Sequence, residues 1–454
     1  MKMKKINNII RFILVLAILG VGCKKDFLDI KPDKKLVVPE TVEDAQALLD
    51  NDIMYTYSPY IGEVSSGDFN VEYNRWLAFP LIDRNAYIWA KDVYEGSALN
   101  DWNYMYRKVY YSNIAIEVLG EINPAPNERA AYDNAFGSAL FFRAWNFYVL
   151  AQVFGKPFNE KTAGTDLGIP LRLHSDLNIT STRSSVAETY NRIISDVKAA
   201  VKILPGVGIL KTRPSRAACY GLLARTYLLM SDFRQAALYA DSAIKISPEI
   251  IDFNTLNASL AFPLTQFNKE VVFHQSMPNI AIFNSARLIM DADLYNAYTV
   301  NDLRKTVFFF QNAGNTTYKG SYNGSAALFG GLAGDELYLI RAEGNARTGK
   351  LLDAEADLNF LLLNRYKKGT FTSYSGLDQA QLLKLILAER RKELIFRGIR
   401  WSDLRRLNME PSTAVTLVRT LNNQVFKLEP NSPRYTFAFP DDVISLSGMV
   451  QNER

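Results

Sequence analysis

The sequence predicts a mostly α-helical fold, a frame of paired helices interrupted by long loop insertions and carrying only a few short strands. Three observations predict it. Apolar residues recur at helical spacing over about 41–50, 100–120, 128–153, 185–204, 215–231, 233–247, 335–348, 351–367 and 378–397. Strand-like runs are confined to Glu270–Gln275, Val425–Leu428 and Tyr435–Phe439. Stretches rich in Gly, Asn, Pro and aromatics separate the helices, chiefly 54–99, 155–183, 252–334 and 408–440. With 48% hydrophobic residues over 454 positions, the chain can bury a large core, which excludes a disordered or collagen-like protein.

The first 22 residues read as an address. Lys2, Lys4, Lys5 and Arg11 precede an apolar run from Phe12 to Val21, too short to span a bilayer. The run ends in Leu19-Gly20-Val21-Gly22-Cys23, which resembles a lipoprotein cleavage box with Cys23 as the acylated first residue of the mature chain. An ordinary signal peptide with a chance cysteine is the other reading. Those four charges supply most of the net +5, so the remaining body is nearly neutral and has no electrostatic footprint for nucleic acid. Residues 23–40, with Pro32 and Pro39, read as a lipidated start and charged tether, and 41–454 as a single helical domain.

Within that domain Tyr220, Leu223, Ala224 and Tyr227 are followed by Ala236, Ala240, Ala243 and Pro248, the spacing of a tetratricopeptide hairpin. Tyr338, Ala342, Ala354, Leu358 and Leu361 repeat it loosely, and Leu140, Arg143, Ala144 and Phe147 repeat its first helix. Long insertions break the period, so the helices read as frame and the insertions as working parts.

Catalytic motifs are scarce. Two cysteines and two histidines cannot furnish a zinc ribbon or a disulfide framework, so no metal or cofactor is expected. Cys219 sits in an apolar helical pattern and reads as a packed thiol. Gly344 to Leu351 approaches a phosphate-binding loop, but Leu351 stands where a Ser or Thr must hold magnesium, and Gly349 suits a helix cap. His174 and His274 lack a nucleophile elbow, and no acid pair stands out, so no catalytic residue is assigned.

Aromatics are more informative. Fifteen lie between Tyr55 and Tyr111, about 26% against 12% for the chain. Trp102, Tyr106 and Tyr110 follow a helical period and read as core. Tyr73, Trp76, Phe79, Tyr87 and Trp89 do not, and they lie beside Asp68, Asn70, Arg75 and Asn85. Flat rings with polar edges suit stacking on a sugar or peptide; a loop pinned by its rings is the alternative. The candidate ligand-binding set is therefore Asp68, Tyr73, Arg75, Trp76 and Trp89, with the polar loop 312–325 as a possible second wall.

Glu389 to Arg406 reads Glu-Arg-Arg-Lys-Glu-Leu-Ile-Phe-Arg-Gly-Ile-Arg-Trp-Ser-Asp-Leu-Arg-Arg. Gly398 is expected to end its helix, with Glu393 and Arg397 paired one turn apart and a salt-bridge network around a buried Trp401. This block resembles the C-terminal hallmark of the SusD/RagB family of Bacteroidetes outer-membrane lipoproteins. Cys23–Pro32, Ser138–Gly155, Val186–Pro205, Lys211–Ser215 and Phe437–Pro440 resemble further family segments in order. Arg397 departs from the family's usual Glu, and the chain ends Gln451-Asn452-Glu453-Arg454 without the usual Pro-Gly-Tyr finish.

The resemblance implies a SusD-like fold and a non-enzymatic, lipid-anchored protein on the outer-membrane surface. It implies a partner, a SusC-type TonB-dependent transporter on which the protein sits as a lid, and a glycan ligand or, in the RagB branch, a peptide. Trp76 and Trp89 favour glycan. A lipid-anchored glycan hydrolase and a tetratricopeptide scaffold for protein partners are the rival readings.

Overall fold

Side-chain caps set where the frame helices begin. In the computed structural model, which describes residues 39–96 and 101–454, Thr41 and Asp44 close a reciprocal cap on α1 (Val42–Leu49). Among helices of at least eight residues, α2 (Asp101–Gly120) and α3 (Arg129–Phe154) come next. Ser185 with Glu188 caps α4 (Val186–Ile203), Ser215 caps α5 (Arg216–Leu229) and Asp232 caps α6 (Phe233–Ile246). α7 (Gly334–Arg347) and α8 (Leu351–Leu363) are followed by α9 (Gln379–Glu393), capped by Asp378 with Gln381, and by α10 (Arg400–Leu407). Each such cap is worth about 1 kcal/mol. Cys23 and its signal segment lie outside the described residues.

From α2 to α7 each helix packs on the next, and α7 packs on α8 and α9 as well. Small residues allow the approach. Ala236, Ala240 and Ala243 are fully buried, and Tyr227 stacks on Tyr239 at 5.5 Å. Gly344 is required where α7 crosses α6, because a Cβ there would lie 2.6 Å from the Phe233 carbonyl oxygen. Gly349 caps the α7 end at φ +82°. Thr41–Arg454 form one compact unit.

The insertions carry ten short strands among the described residues: β1 (Phe69–Asn70), β2 (Leu167–Pro170), β3 (Arg183–Ser185), β4 (Val271–Phe273), β5 (Ile289–Met290), β6 (Phe309–Asn312), β7 (Asn315–Tyr318), β8 (Leu332–Ala333), β9 (Leu417–Leu421) and β10 (Gln424–Leu428). They form antiparallel pairs β1–β5, β2–β3, β4–β8, β6–β7 and β9–β10. Thus 312–325 opens as the turn and second strand of a hairpin, with Ala313 and Gly314 both at positive φ. Tyr435–Phe439 is not a strand. Pro433–Tyr435 makes a tight 3-10 turn, and the Phe437 N–H donates to the Val153 carbonyl at the end of α3 (2.9 Å).

The charged C-terminal block is framework. α9 stops at Glu393, four residues short of the expected end, so Glu393 and Arg397 do not pair along one helix. Glu393 instead accepts from Arg304 (2.9 Å) and Arg365 (2.7 Å), and Arg397 binds Asp335 (3.0 Å) between the rings of Tyr322 and Phe329. Asp403 joins Arg390 and Arg406 (2.8 Å each), and Arg406 reaches Glu343 on α7 (2.6 Å). These groups are buried, so removing one partner strands a charge at a cost of about 3–5 kcal/mol. Arg405 follows another logic: its guanidinium donates to the Ala151, Gln152 and Gly155 carbonyls and closes the C-terminus of α3.

Candidate functional site

The two insertions 53–96 and 253–328 meet. β1 pairs with β5, Phe69 packs edge-on to Phe283 (5.8 Å), and Arg287 lies over the Phe79 ring (5.7 Å). Beside this seam the longer insertion encloses a cavity of about 280 Å³. Phe262, Phe283, Phe310 and Tyr318 line it with Lys319 and several serines. Phe262 and Phe310 remain 37% and 36% exposed, unlike the fully packed rings of the frame. Tyr318 is fixed against Phe396 (4.8 Å), and Lys319 is tied to the Ala258 (2.5 Å) and Leu260 (3.2 Å) carbonyls, which holds the 257–262 wall in place. Burial lowers the Lys319 pKa. The cavity therefore offers apolar ring faces with hydroxyls at their edges, and no carboxylate or imidazole among its described lining.

The sequence-derived set divides. Tyr73, Arg75 and Trp76 share a four-residue helix at the surface. Tyr73 and Trp76 stack at 5.9 Å and 22°, both half-buried, with Leu77 exposed beside them. The Trp76 indole donates to the Arg84 carbonyl (3.2 Å), and Arg75 pairs with Glu72 (3.1 Å).

Trp89 and Asp68 need correction as ligand contacts. Trp89 is 1% exposed, donates to the Ser65 carbonyl (3.0 Å) and packs under Arg419 (4.9 Å). Asp68 is equally buried and accepts from Arg391 (2.8 Å). Guanidinium groups from the distant C-terminal part of the chain, Arg419 for Trp89 and Arg391 for Asp68, occupy them both. Phe262, Phe283 and Phe310 escaped the sequence reading: Phe262 and Phe283 are isolated aromatics with no period, and Phe310, on strand β6, ends the run Phe308-Phe309-Phe310. Part of loop 312–325 does join the cavity, through Tyr318, Lys319, Ser321 and Ser325.

The histidines have structural surroundings. His274 is fully buried between Phe267 and Phe329, and burial lowers its pKa to about 4, which keeps the ring neutral. His174 lies 3.6 Å from Glu117, but the Ser175 hydroxyl donates to Glu117 rather than to the imidazole. Trp102 packs on Phe154 and Phe439, as its helical period predicts.

Residues 26–228 match a SusD-like family model described as starch-binding and associating with the outer membrane, and residues 309–436 match the SusD family model. The chain belongs to the SusD/RagB family. A SusD-like protein P2 from Formosa agariphila is 30% identical over 143 residues, 32% of this chain and only 26% of that protein's own length. Among solved structures, a SusD superfamily protein from Bacteroides thetaiotaomicron superposes with a TM-score of 0.74 at 21% identity, covering 91% of this SusD-like chain and all of the other. The surface glycan-binding protein A of Bacteroides uniformis gives 0.69 at 18% identity, covering 91% and 99%. These likenesses establish the mostly helical SusD fold for this chain.

Proposed function

We propose that this SusD-like chain is a cell-surface lipoprotein, anchored through Cys23, that binds a glycan at its insertion face. It passes the ligand to a SusC-type TonB-dependent transporter, on which it sits as a lid. The observation that carries the glycan reading is the cavity with half-exposed Phe262 and Phe310; a surface Tyr73–Trp76 stack on the insertion that pairs with it through β1 and β5 adds to it. Ring faces stack on the C–H faces of sugars while neighbouring hydroxyls serve the edges. The names of relatives, a surface glycan-binding protein among them, support the same ligand class. Binding without turnover fits a cavity whose described lining includes no acid.

Native outer membranes solubilised in mild detergent test the partner. Pull-down of the tagged chain is expected to recover a large TonB-dependent barrel, and mass spectrometry of retained ligand an oligosaccharide. Retained peptide would move the protein to the RagB-type branch. Recovery of the chain alone, under conditions that preserve other such pairs, defeats the lid reading. Phe310→Ala is expected to weaken oligosaccharide retention in affinity electrophoresis about tenfold; unchanged retention would remove this cavity from the site.

A further inference from the structure

The connection from α4 to α5 carries an apolar tip that the fold leaves uncovered. It reads Leu204-Pro205-Gly206-Val207-Gly208-Ile209-Leu210-Lys211, and Val207, Ile209 and Leu210 are 60%, 75% and 54% exposed. Single exposed aliphatics are ordinary, but three within four positions form a patch. The loop is held in this form. Leu204 is fully buried against α3, where a Cβ at Gly137 would lie 2.7 Å from it, and Ser215 is buried at the other end. The Arg216 and Ala217 N–H groups donate to the Pro205 (2.7 Å) and Gly206 (3.1 Å) carbonyls, which closes the loop and serves the start of α5. The His274 N–H donates to the Lys211 carbonyl (2.7 Å). The fold thus orders a loop whose aliphatic side chains it does not bury.

The flanks are basic. From Lys198 to Arg216 the sequence holds three lysines and two arginines and no acid. Lys198 lies over the Tyr227 ring (5.8 Å) and Arg216 donates to the Leu204 carbonyl (3.1 Å), so both are occupied by the frame. Lys202 is exposed in the last turn of α4, and Lys211 follows Leu210 directly. Two acids act on this group from outside the loop: Asp50 accepts from Arg213 (2.9 Å), and Glu249 acts on Lys211. Asp50 also closes α1, an eight-residue helix about 12 Å long, and the described chain begins at residue 39, just before that helix. The loop is therefore fastened one short helix from the point where the segment leading to Cys23 joins the fold.

Aliphatic side chains between lysines suit the boundary of a bilayer, with the apolar groups among acyl chains and the cations among anionic headgroups. A protein partner is served less well, since three side chains fall far short of the roughly 800 Å² per partner of a stable protein interface. We propose that the 205–211 loop dips Val207, Ile209 and Leu210 into an anionic lipid surface, with Lys202 and Lys211 at the headgroups. The proposal rests on the Cys23 anchor only for bringing the loop to the membrane.

A fluorophore at the tip tests it. Ile209→Cys in the full chain takes an environment-sensitive label, while Cys219 is fully buried and the unsubstituted chain measures any labelling of Cys23. Leu352→Cys, on α8 at an 80% exposed position, is the reference. Each is mixed with vesicles of phosphatidylcholine, or of phosphatidylcholine and phosphatidylglycerol in equal parts. Position 209 is expected to show a blue shift and a severalfold gain in emission on the anionic vesicles, quenched by brominated acyl chains, with little change at position 352. Leu210→Ser in the labelled chain is expected to reduce the gain severalfold, and Lys202→Gln with Lys211→Gln to remove most of the difference between the two vesicles. Intact mass reports acylation separately. An unacylated chain that still shows the shift at 209 loses the anchor and keeps this inference. No shift at 209 in chain that floats with vesicles, as for a tip covered by protein, overturns it, as does no shift at high lipid in an unacylated chain. Equal responses at 209 and 352, or on neutral and anionic vesicles, overturn it too.

Discussion

Trp76 and Trp89 look alike in sequence, and the structure predicts opposite consequences for truncating them. Trp89→Ala empties a site that is 1% exposed, leaves the Ser65 carbonyl without its donor and removes a ring from beneath Arg419. Large-to-small substitution of a buried Trp costs about 3–5 kcal/mol before that contact is counted. Arg419 worsens the loss, since it is itself buried and is held by the Tyr87 ring (3.7 Å) and backbone carbonyls rather than by an acid. At about 2.1 cal/mol/K per residue, the Thr41–Arg454 unit has an unfolding entropy near 0.9 kcal/mol/K. A loss of about 4–5 kcal/mol therefore lowers Tm by about 5 °C. Trp76→Ala loses one carbonyl hydrogen bond and a half-buried stack, about 1 kcal/mol, and shifts Tm by only about 1 °C. Scanning calorimetry with glycan affinity electrophoresis separates the two. Trp76→Ala is expected to bind weakly and melt almost normally, and Trp89→Ala to melt early. Equal shifts, or a Trp89→Ala protein of normal Tm with lost binding, would refute the division of the aromatic loop into a surface stack and a core anchor.

Arg397→Glu, which restores the residue usual in the resembled family, is expected to destabilise the chain by about 3–5 kcal/mol and reduce soluble yield, because it sets a buried acid against Asp335; a normal denaturation midpoint would contradict this. Burial and the nearby Asp68 raise Glu63 to about pKa 8, although it accepts from the Gly398 N–H (2.8 Å). A carboxyl with a raised folded pKa keeps its proton while the unfolded chain gives it up, so this group's contribution to stability falls as pH rises from the ordinary carboxylate range through about 8. Glu63→Gln is expected to flatten the decline in Tm between pH 5 and 8.5, and an unchanged slope would assign that decline to other groups. Cys219, fully buried with burial raising its pKa, is expected to resist a thiol reagent in the native state and react fully in denaturant.

What could be read from the sequence was what neighbours in sequence decide. Apolar periodicity placed the frame helices within a few residues, and the caps that start them, such as Ser185 with Glu188, are local as well. The charged block announced its network by density, but not its partners. Arg304 and Arg365, which receive Glu393, lie in an insertion and after α8, where nothing local marks them. The candidate site failed at the same boundary. Trp89 is core because Arg419 arrives from a hairpin more than 300 positions downstream and also donates to the Tyr87 carbonyl. Trp76 stays at the surface because its indole is satisfied within its own loop by Arg84. Composition grouped the two rings, and long-range packing separated them. The same packing explains why Phe262 and Phe310 went unread: neither has a period, and only the folding of the 253–328 insertion sets them around one cavity. In an interrupted-repeat protein the frame is local and the binding surface is assembled from insertions. A candidate ring in such a loop is therefore weighed by what the far end of the chain lays over it.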